Sequence, residues 1–289
     1  MRWTPGGESS DIEDQRGASG GGGGLLGGRS LGIFGTLAVL VLSLVFHQNF
    51  FALLGGGSSA SQQQASDTPA PPASETPAEN KQVQLVSFVI DDVQASWARA
   101  LPKAGAQYEK AKLVLYRDGV RSGCGQAQSS VGPFYCPVDH KVYLDLGFFD
   151  ELRTRFGAPG EFAEAYVIAH EFGHHVQKLL GIDAKVRSAR EAHPDQANAL
   201  SVRLELQADC FAGVWANSTQ QRNILEKGDV ESGLRAAASV GDDKLQKQAT
   251  GHVRPESFTH GSSQQRTEWF QRGFQGGDVS ACDTFRGSP

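Results

Sequence analysis

The 289-residue sequence lacks an excess of positive charge. Its 27 lysines and arginines are outnumbered by 32 acidic residues, so the net charge is -5 and the pI is near 5.9. Proteins that bind nucleic acid normally carry a basic patch or stripe. Nucleic acid is therefore not an expected partner.

Positive charge is also absent between Arg29 and Lys81. Within this interval residues 31–46, "LGIFGTLAVLVLSLVF", are uncharged, and the apolar stretch continues to Leu54 after a short polar break. Its length matches the roughly 20 residues that cross a bilayer. A buried core helix would not be flanked by a Gly-rich tract on one side and a Ser/Gln/Pro-rich tract on the other. We therefore predict a transmembrane signal anchor at residues 31–54.

The flanking charges predict an orientation for this anchor. Arg2, Arg16 and Arg29 precede the apolar stretch, and positive residues favour the cytoplasmic side. We expect a single-pass protein with its N-terminus in the cytoplasm and the bulk of the chain outside. The small-residue stretch "GSSASQ" leaves cleavage open, although the long front end favours an uncleaved anchor.

Composition divides the rest of the chain into three parts. Residues 1–30 are polar and Gly-rich, which predicts a disordered cytoplasmic tail. Residues 55–80 are rich in Ser, Gln and Pro, as in a linker. Residues 81–289 have the size of one domain. In that domain the strand-like runs "KLVLYRD", "GPFYCP" and "KVYLDL" precede long helical patterns, which predicts an α+β fold with a small sheet.

Cysteine is scarce, and its spacing argues against one kind of metal site. The four cysteines form no C-x-x-C pair, so a cysteine zinc site is not expected. An even count in an extracytoplasmic domain suggests two disulfides, for which three connectivities exist. A short hairpin-like loop separates Cys124 from Cys136, so we expect these two to pair and Cys210 to bond with Cys282.

The segment "HEFGH" at residues 170–174 has the spacing of a metal site. On a helix His170 and His174 share one face, so both imidazoles can bind one ion. Glu171 lies beside that face, where a carboxylate can act on a water, as in the H-E-x-x-H motif of metallopeptidases. His175 does not share the face, and we interpret it as a packing residue or a partner of a ligand. Two hydrogen-bonded core histidines are the alternative to the metal site.

A catalytic zinc site usually needs a third protein ligand. Gln177 and Leu180 occupy the positions where a metzincin would carry Gly and His, which excludes that class. A second predicted helix carries Glu205 and Asp209, four residues apart within an apolar context. Glu205 is therefore the predicted third ligand, and Asp209 is predicted to accept the free ring N–H of a ligating histidine.

These motifs resemble the glutamate-type zincins, and the whole chain resembles the bacterial family described as neutral zinc metallopeptidases (YpfJ-like). The resemblance is carried by "MRWTPGG…DIEDQRG", "GPFYCP", "VYLDLGFF", "AYVIAHEFGHHVQ", "ELQADCFAGVWA", "SFTHGSSQQRTEWFQRG" and "CDTF". It implies a zincin-like domain with an HExxH helix and a second ligand-bearing helix, behind a single N-terminal transmembrane helix. With the predicted orientation, it also implies a location in the bacterial inner membrane with a periplasmic or extracellular catalytic domain.

The segment "FTHGSSQQR" is similar to a "THP…R" segment in membrane-associated zinc peptidases of the prenyl-protein protease and HtpX type. That similarity implies a role for His260 or Arg266 in stabilising the oxyanion of a tetrahedral intermediate. A second role that it allows for Arg266 is an ion pair with Asp209.

The expected function is hydrolysis of peptide bonds in the cell envelope by a membrane-anchored endopeptidase with one catalytic Zn²⁺. Glu171 would activate the zinc-bound water, and the strand "KVYLDL" would form the edge of the cleft that holds a peptide or protein substrate. The alternatives are a non-cleaving metal-containing binding or scaffold module on the outer side of the membrane, and a purely structural zinc site. A binder has no need of Glu171, and a structural site usually has four ligands.

Overall fold

The computed structural model describes residues 1–17 and 76–287, and a four-stranded mixed sheet is its first feature. The strand order is β1-β2-β6-β5, and β5 alone runs antiparallel to its neighbour. These strands are β1 (Ile12–Asp14), β2 (Lys112–Tyr116), β5 (Phe134–Cys136) and β6 (Lys141–Asp145). A separate antiparallel hairpin consists of β3 (Gly119–Ser122) and β4 (Gly125–Gln128).

The helices follow and interrupt the strands in the order that an α+β domain requires. The described residues contain α1 (Pro77–Ala100), α2 (Gly147–Thr154), α3 (Glu161–Leu179), α4 (Ile182–Ala192), α5 (Ala197–Gln221), α6 (Asp229–Ser239), α7 (Asp242–Thr250) and α8 (Ser263–Gly276). The predicted α+β class with a small sheet is therefore confirmed. No helix of the described ranges combines the length and the apolar character that crossing a membrane requires.

Alternation along β2 and β6 gives the sheet two different faces. Leu113 and Leu144 belong to the main core that the helices share. Val114 and Tyr143 point to the opposite face, where Val120 of the β3–β4 hairpin covers them. The β6 strand lies between β2 and β5, so the prediction that "KVYLDL" forms a cleft edge is wrong. The exposed edge next to the helices is β5 instead.

Helix α1 begins earlier than the predicted linker allows. Thr76 caps the helix through a capping box with Glu79, and Pro77 occupies its first turn, where proline is favoured. Residues 77–80 are therefore helical, and the predicted boundary at residue 80 is wrong. Residues 55–75 of that linker and the predicted anchor at residues 31–54 lie outside the described residues.

The first seventeen residues are ordered against the domain. Strand β1 pairs in parallel with β2, with Ile12 opposite Leu113. The Asp11 carboxylate is buried and accepts hydrogen bonds from Gln94 at 3.0 Å, Lys110 at 2.7 Å and Lys112 at 2.8 Å. The prediction of disorder for residues 1–30 is thus wrong for residues 1–17, because a short strand hidden in a polar segment completes the sheet.

Both predicted disulfides are confirmed. Cys124 bonds with Cys136, which fastens the hairpin to β5, and Cys210 bonds with Cys282, which fastens the C-terminal segment to α5. Glycine sets the closest helix contact: a Cβ added to Gly273 would lie 1.9 Å from the carbonyl oxygen of Cys210. Only glycine therefore lets α8 approach α5 so closely, and this approach positions the functional site.

Replacing Asp11 with alanine in the full chain should destabilise the whole domain. Its carboxylate is the shared acceptor of a buried amide and two lysines, and losing such charged hydrogen bonds costs roughly 1–3 kcal/mol. Denaturant unfolding of the full chain measures the loss. The matched control is Glu8→Ala, at an exposed position of the same segment, where we expect a change within about 0.5 kcal/mol. Equal stability of the two variants would show that residues 1–17 do not contribute to the fold.

Candidate metal centre

The centre lies where α3 crosses α5. A Cβ added to Gly173 would lie 2.9 Å from the carbonyl oxygen of Ala208. The glycine inside the H-E-x-G-H motif therefore allows the two helices to touch, and it brings the motif of α3 against Glu205 and Asp209 of α5. Both motifs are buried or nearly so.

Three predicted ligands converge at this crossing. The Nε2 atom of His170 lies 3.3 Å from one carboxylate oxygen of Glu205, and the Nε2 atom of His174 lies 3.4 Å from the other. One ligand atom from each of the three side chains falls within 4.8 Å of the other two. The arrangement groups two imidazole nitrogens and one carboxylate that could hold a metal ion.

The opposite ring nitrogens are engaged elsewhere, which fixes the tautomers. The Nδ1 of His170 lies 2.9 Å from Asp209, and the Nδ1 of His174 lies 2.9 Å from the side-chain oxygen of Gln177. Because these oxygens only accept, each Nδ1 carries the proton and each Nε2 keeps a lone pair for a cation. The predicted role of Asp209 agrees with this geometry.

Asp209 is the most heavily bonded group of the centre. Arg266 of α8 donates to both of its carboxylate oxygens, from Nε at 2.8 Å and from Nη2 at 2.9 Å. The hydroxyl of Tyr166 donates to Asp209 as well. Burial raises the pKa of Asp209, but the charge of Arg266 and the His170 contact lower it more, so the carboxyl stays ionised. The ion pair of Asp209 with Arg266 is thus the role that the geometry supports for Arg266.

A second chain of contacts supports His174 from the other side. Gln177 donates to the backbone oxygen of Leu204 at 2.7 Å and to the side-chain oxygen of Gln207 at 3.1 Å. Gln207 in turn donates to the backbone oxygen of Cys282 at 2.8 Å. Since Cys282 is held by its disulfide, the orientation of His174 is tied to a covalently fixed segment.

Glu171 occupies the position expected of a general base. It is 8% exposed, and the backbone of Tyr135 in β5 lies near its carboxylate. Burial raises the pKa of Glu171 to about 7, within the range that suits proton transfer near neutral pH. A bound cation beside it would lower that pKa.

His260 stands at the rim of the centre. Its side chain is 51% exposed, and its Nδ1 lies 3.2 Å from Asp242. The second oxygen of Asp242 accepts the backbone N–H groups of Thr259, His260 and Gly261 at 2.7, 2.6 and 3.0 Å. Burial lowers the pKa of His260, but Asp242 and the charge of Glu205 outweigh it, and the net shift is upward.

His175 contributes to packing, as its position on the helix predicts. It is fully buried, and its ring nitrogens contact the hydroxyl of Tyr135 at 3.0 Å and the backbone oxygen of Glu109 at 2.7 Å. His175 thereby connects α3 to β5 and to the residues before β2. The three histidines of the motif thus divide into two that face Glu205 and one that supports the helix from behind.

The charge balance of the ligand group favours a cation. Burial alone would raise the pKa of Glu205, yet the nearby imidazoles hold it well below its usual range, so the carboxylate is ionised. Burial lowers the pKa of His170, but the contacts with Asp209 and Glu205 outweigh burial and raise that pKa to about 10. The ionised Glu205 carboxylate beside two imidazole nitrogens thus gives the group the charge that suits a bound cation. Two imidazoles with one carboxylate suit zinc.

Comparison with known proteins agrees with this geometry. The family model "Putative neutral zinc metallopeptidase" matches residues 1–285. The chain belongs to this family. It is 48% identical, over 99% of both chains, to "Uncharacterized protein YpfJ" of Escherichia coli K12. It is also 46% identical over 206 residues, 68% of each chain, to "Uncharacterized protein Rv2575" of Mycobacterium tuberculosis H37Rv. No solved structure matches the chain.

The roles of three residues of the centre were not predicted from the sequence. Tyr166 and Gln177 lie four residues before His170 and three after His174, so helical spacing alone could have placed them beside the ligands. Asp242 carried no such signal. Its contact with His260 depends on the path of the loop between α7 and α8.

Replacing Gln177 with leucine should weaken zinc binding. The substitution removes the acceptor that orients His174, and loss of such a partner typically costs 10- to 100-fold in metal affinity. Competition with a chromophoric chelator measures the zinc dissociation constant. The matched control is Lys178→Met, one position along α3 and outside the ligand contacts. Unchanged affinity in a folded Gln177→Leu protein would contradict the role of Gln177.

Proposed function

We propose that the protein is a membrane-anchored zinc-dependent endopeptidase that cleaves peptide bonds in the cell envelope. The observation that supports it most is the convergence of ligand atoms from His170, His174 and Glu205, near enough to the buried Glu171 carboxyl for the charges of His170 and Glu205 to act on its pKa. Membership of a metallopeptidase family supports the reaction class. Residues 31–54 would provide the attachment to the membrane.

The metal-holding residues are His170, His174 and Glu205. Zinc, when bound, supplies a Lewis acid that acidifies water and polarises a carbonyl group. Asp209 and Gln177 keep the Nδ1 protons in place, so both imidazoles present Nε2 to the ion. These three side chains would therefore hold the zinc ion, as the protein ligands of a catalytic site do.

Glu171 transfers the proton in this proposal. Its carboxylate accepts a proton from the attacking water and delivers it to the nitrogen of the leaving amine. Burial adjusts the basicity of this carboxylate. Removing this group should leave a protein that still binds metal.

His260 stabilises the negative charge that develops on the carbonyl oxygen. Asp242 fixes its ring through Nδ1, which leaves Nε2 as the donor to substrate when the ring is protonated. Half of the His260 side chain is open to solvent, so a substrate can reach it. Arg266, in contrast, is 4% exposed and bonded to Asp209, and we assign it to positioning alone.

The β5 strand offers the edge for an extended substrate. It is a terminal strand of the sheet, and its Tyr135 backbone lies near Glu171. Sheet edges bind peptides by adding them as a further strand. A peptide paired with β5 would pass next to the metal-holding residues, which is why we propose a protein or peptide substrate.

The Glu171→Gln variant tests the proposed reaction. The amide keeps the shape of the carboxyl but cannot accept a proton, so cleavage of an unstructured protein substrate should fall by roughly 100- to 10,000-fold. Zinc content should stay at one ion per chain. The full chain is required, because a protein that begins at residue 81 lacks β1 and the start of α1.

The control for this experiment is chelation of the parent protein followed by addition of zinc, which should abolish and then restore cleavage. If parent and variant both hold zinc and neither cleaves, the protein is a binding or scaffold module instead. Zinc loss in the variant would show that Glu171 serves the site itself.

Replacing Asp242 with asparagine should change the pH dependence of cleavage. Protonated His260 is the proposed donor, so kcat/KM should fall as pH rises through its pKa. Asp242 raises that pKa, and removing its charge should move the alkaline limb to lower pH. Asp195→Asn, at an exposed position, should leave the profile unchanged. An unshifted alkaline limb in the Asp242→Asn protein would contradict a catalytic role for protonated His260.

A further inference from the structure

The N-terminal segment is an integral strand of the domain sheet. The backbone N–H of Leu113 donates to the backbone oxygen of Asp11 at 2.8 Å. The backbone N–H of Gln15 donates to the backbone oxygen of Leu115, also at 2.8 Å. Leu113, Val114 and Leu115 are fully buried. Without β1, the backbone N–H and C=O groups on that edge of β2 would be left without hydrogen-bond partners in an apolar environment. Burying unpaired polar groups costs free energy.

Side chains fasten the same segment at three separate places. The indole N–H of Trp3 donates to Glu161 of α3 at 2.8 Å. The Ser9 hydroxyl donates to Asp91 of α1 at 2.6 Å. Lys141 of β6 bonds to both carboxylate oxygens of Glu13 at 2.7 and 2.8 Å. These contacts reach a helix of the metal centre, a core helix and the central sheet. The N-terminal segment therefore binds the domain at one defined position.

This position of the N-terminal segment limits the possible membrane topologies of the chain. The apolar stretch at residues 31–54 stands between the N-terminal segment and the domain. A single crossing there would put residues 1–17 and 76–287 on opposite sides of the bilayer, and β1 could not pair with β2. A strand from a second copy meets the same limit, because copies with one orientation expose the same residues to the same side.

We propose that residues 1–17 and the metal-binding domain lie on the same side of the membrane, so that the chain between them begins and ends on that side. The proposal rests on the proposed attachment through residues 31–54 and replaces the orientation expected from the arginines. Two of those arginines have acidic partners in the structure: Arg2 lies 3.3 Å from Glu226 and Arg16 lies 2.5 Å from Asp14. Their charges are therefore neutralised by the folded protein.

The disulfides indicate which side this is. All four cysteines are bonded in pairs, and disulfides persist in oxidising compartments outside the cytoplasm. The N-terminal segment would therefore accompany the domain to the outer side.

Labelling of single introduced cysteines tests the proposal in the full chain. No native thiol is free among the described residues. Gly6→Cys places a thiol in the N-terminal segment, and Ser188→Cys places one on α4; both positions are exposed. Spheroplasts are treated with a membrane-impermeant maleimide before and after lysis. We expect both variants to be labelled before lysis.

The comparison of the two variants decides the outcome. Labelling of both before lysis, or of both only after lysis, supports a shared side. Labelling of one variant before lysis and the other only after lysis overturns the proposal. Carbonate extraction of the same membranes reports attachment independently, and neither readout requires peptidase activity.

A disulfide trap provides a second test that depends on contact. Ser9→Cys combined with Asp91→Cys joins two positions whose side chains are in hydrogen-bond contact, and mass spectrometry should detect the new cross-link in cells. Gly6→Cys combined with Ser188→Cys is the control and should not cross-link. Two introduced thiols at positions 9 and 91 that stay reduced while the native disulfides form would contradict the proposal.

Discussion

The buried ion pair between Asp209 and Arg266 is the interaction on which the metal centre depends. Asp209 accepts hydrogen bonds from the Nε and Nη2 groups of Arg266, from the Tyr166 hydroxyl and from the His170 ring. These four side chains come from α3, α5 and α8, so one carboxylate joins three helices. Breaking a buried pair by removing one partner costs about 3–5 kcal/mol. The same charge that holds the helices together also fixes the tautomer of His170, so folding and metal binding share one group.

The two histidines that we propose as metal ligands are supported in different ways. His170 depends on a charged network inside the helical core, whereas His174 depends on neutral amides that lead through Gln177 and Gln207 to the Cys210–Cys282 disulfide. The charged network around Asp209 holds the His170 ring in place. The Cys210–Cys282 disulfide holds the C-terminal segment to which the contacts of His174 lead. Glu171 differs from both, because it lies near the backbone of Tyr135 in β5. The sheet edge and the metal helix are therefore parts of one site.

The sequence predicted those parts of the site that depend on local spacing. His170, His174, Glu205 and Asp209 followed from helical repeats of four residues, and the strands followed from short apolar runs. Arg266 is 57 residues from Asp209, so its partner could be named only through a family resemblance. The Asp242 contact follows a loop path that no local pattern encodes. Strand β1 was missed because three residues, Ile12–Asp14, are masked by the polar composition around them, and their pairing with β2 is a tertiary choice.

Anomalous diffraction at the zinc edge from crystals of the zinc-loaded full chain tests the central claim most directly. We expect one anomalous peak, bounded by Nε2 of His170, Nε2 of His174 and the carboxylate of Glu205. The Glu171 carboxyl should lie beside this peak without binding the metal. Zinc–nitrogen distances should be about 2.0–2.1 Å. A peak at another group of side chains, or Glu171 bound to the metal as a fourth ligand, would contradict a site built to leave that carboxyl free for proton transfer.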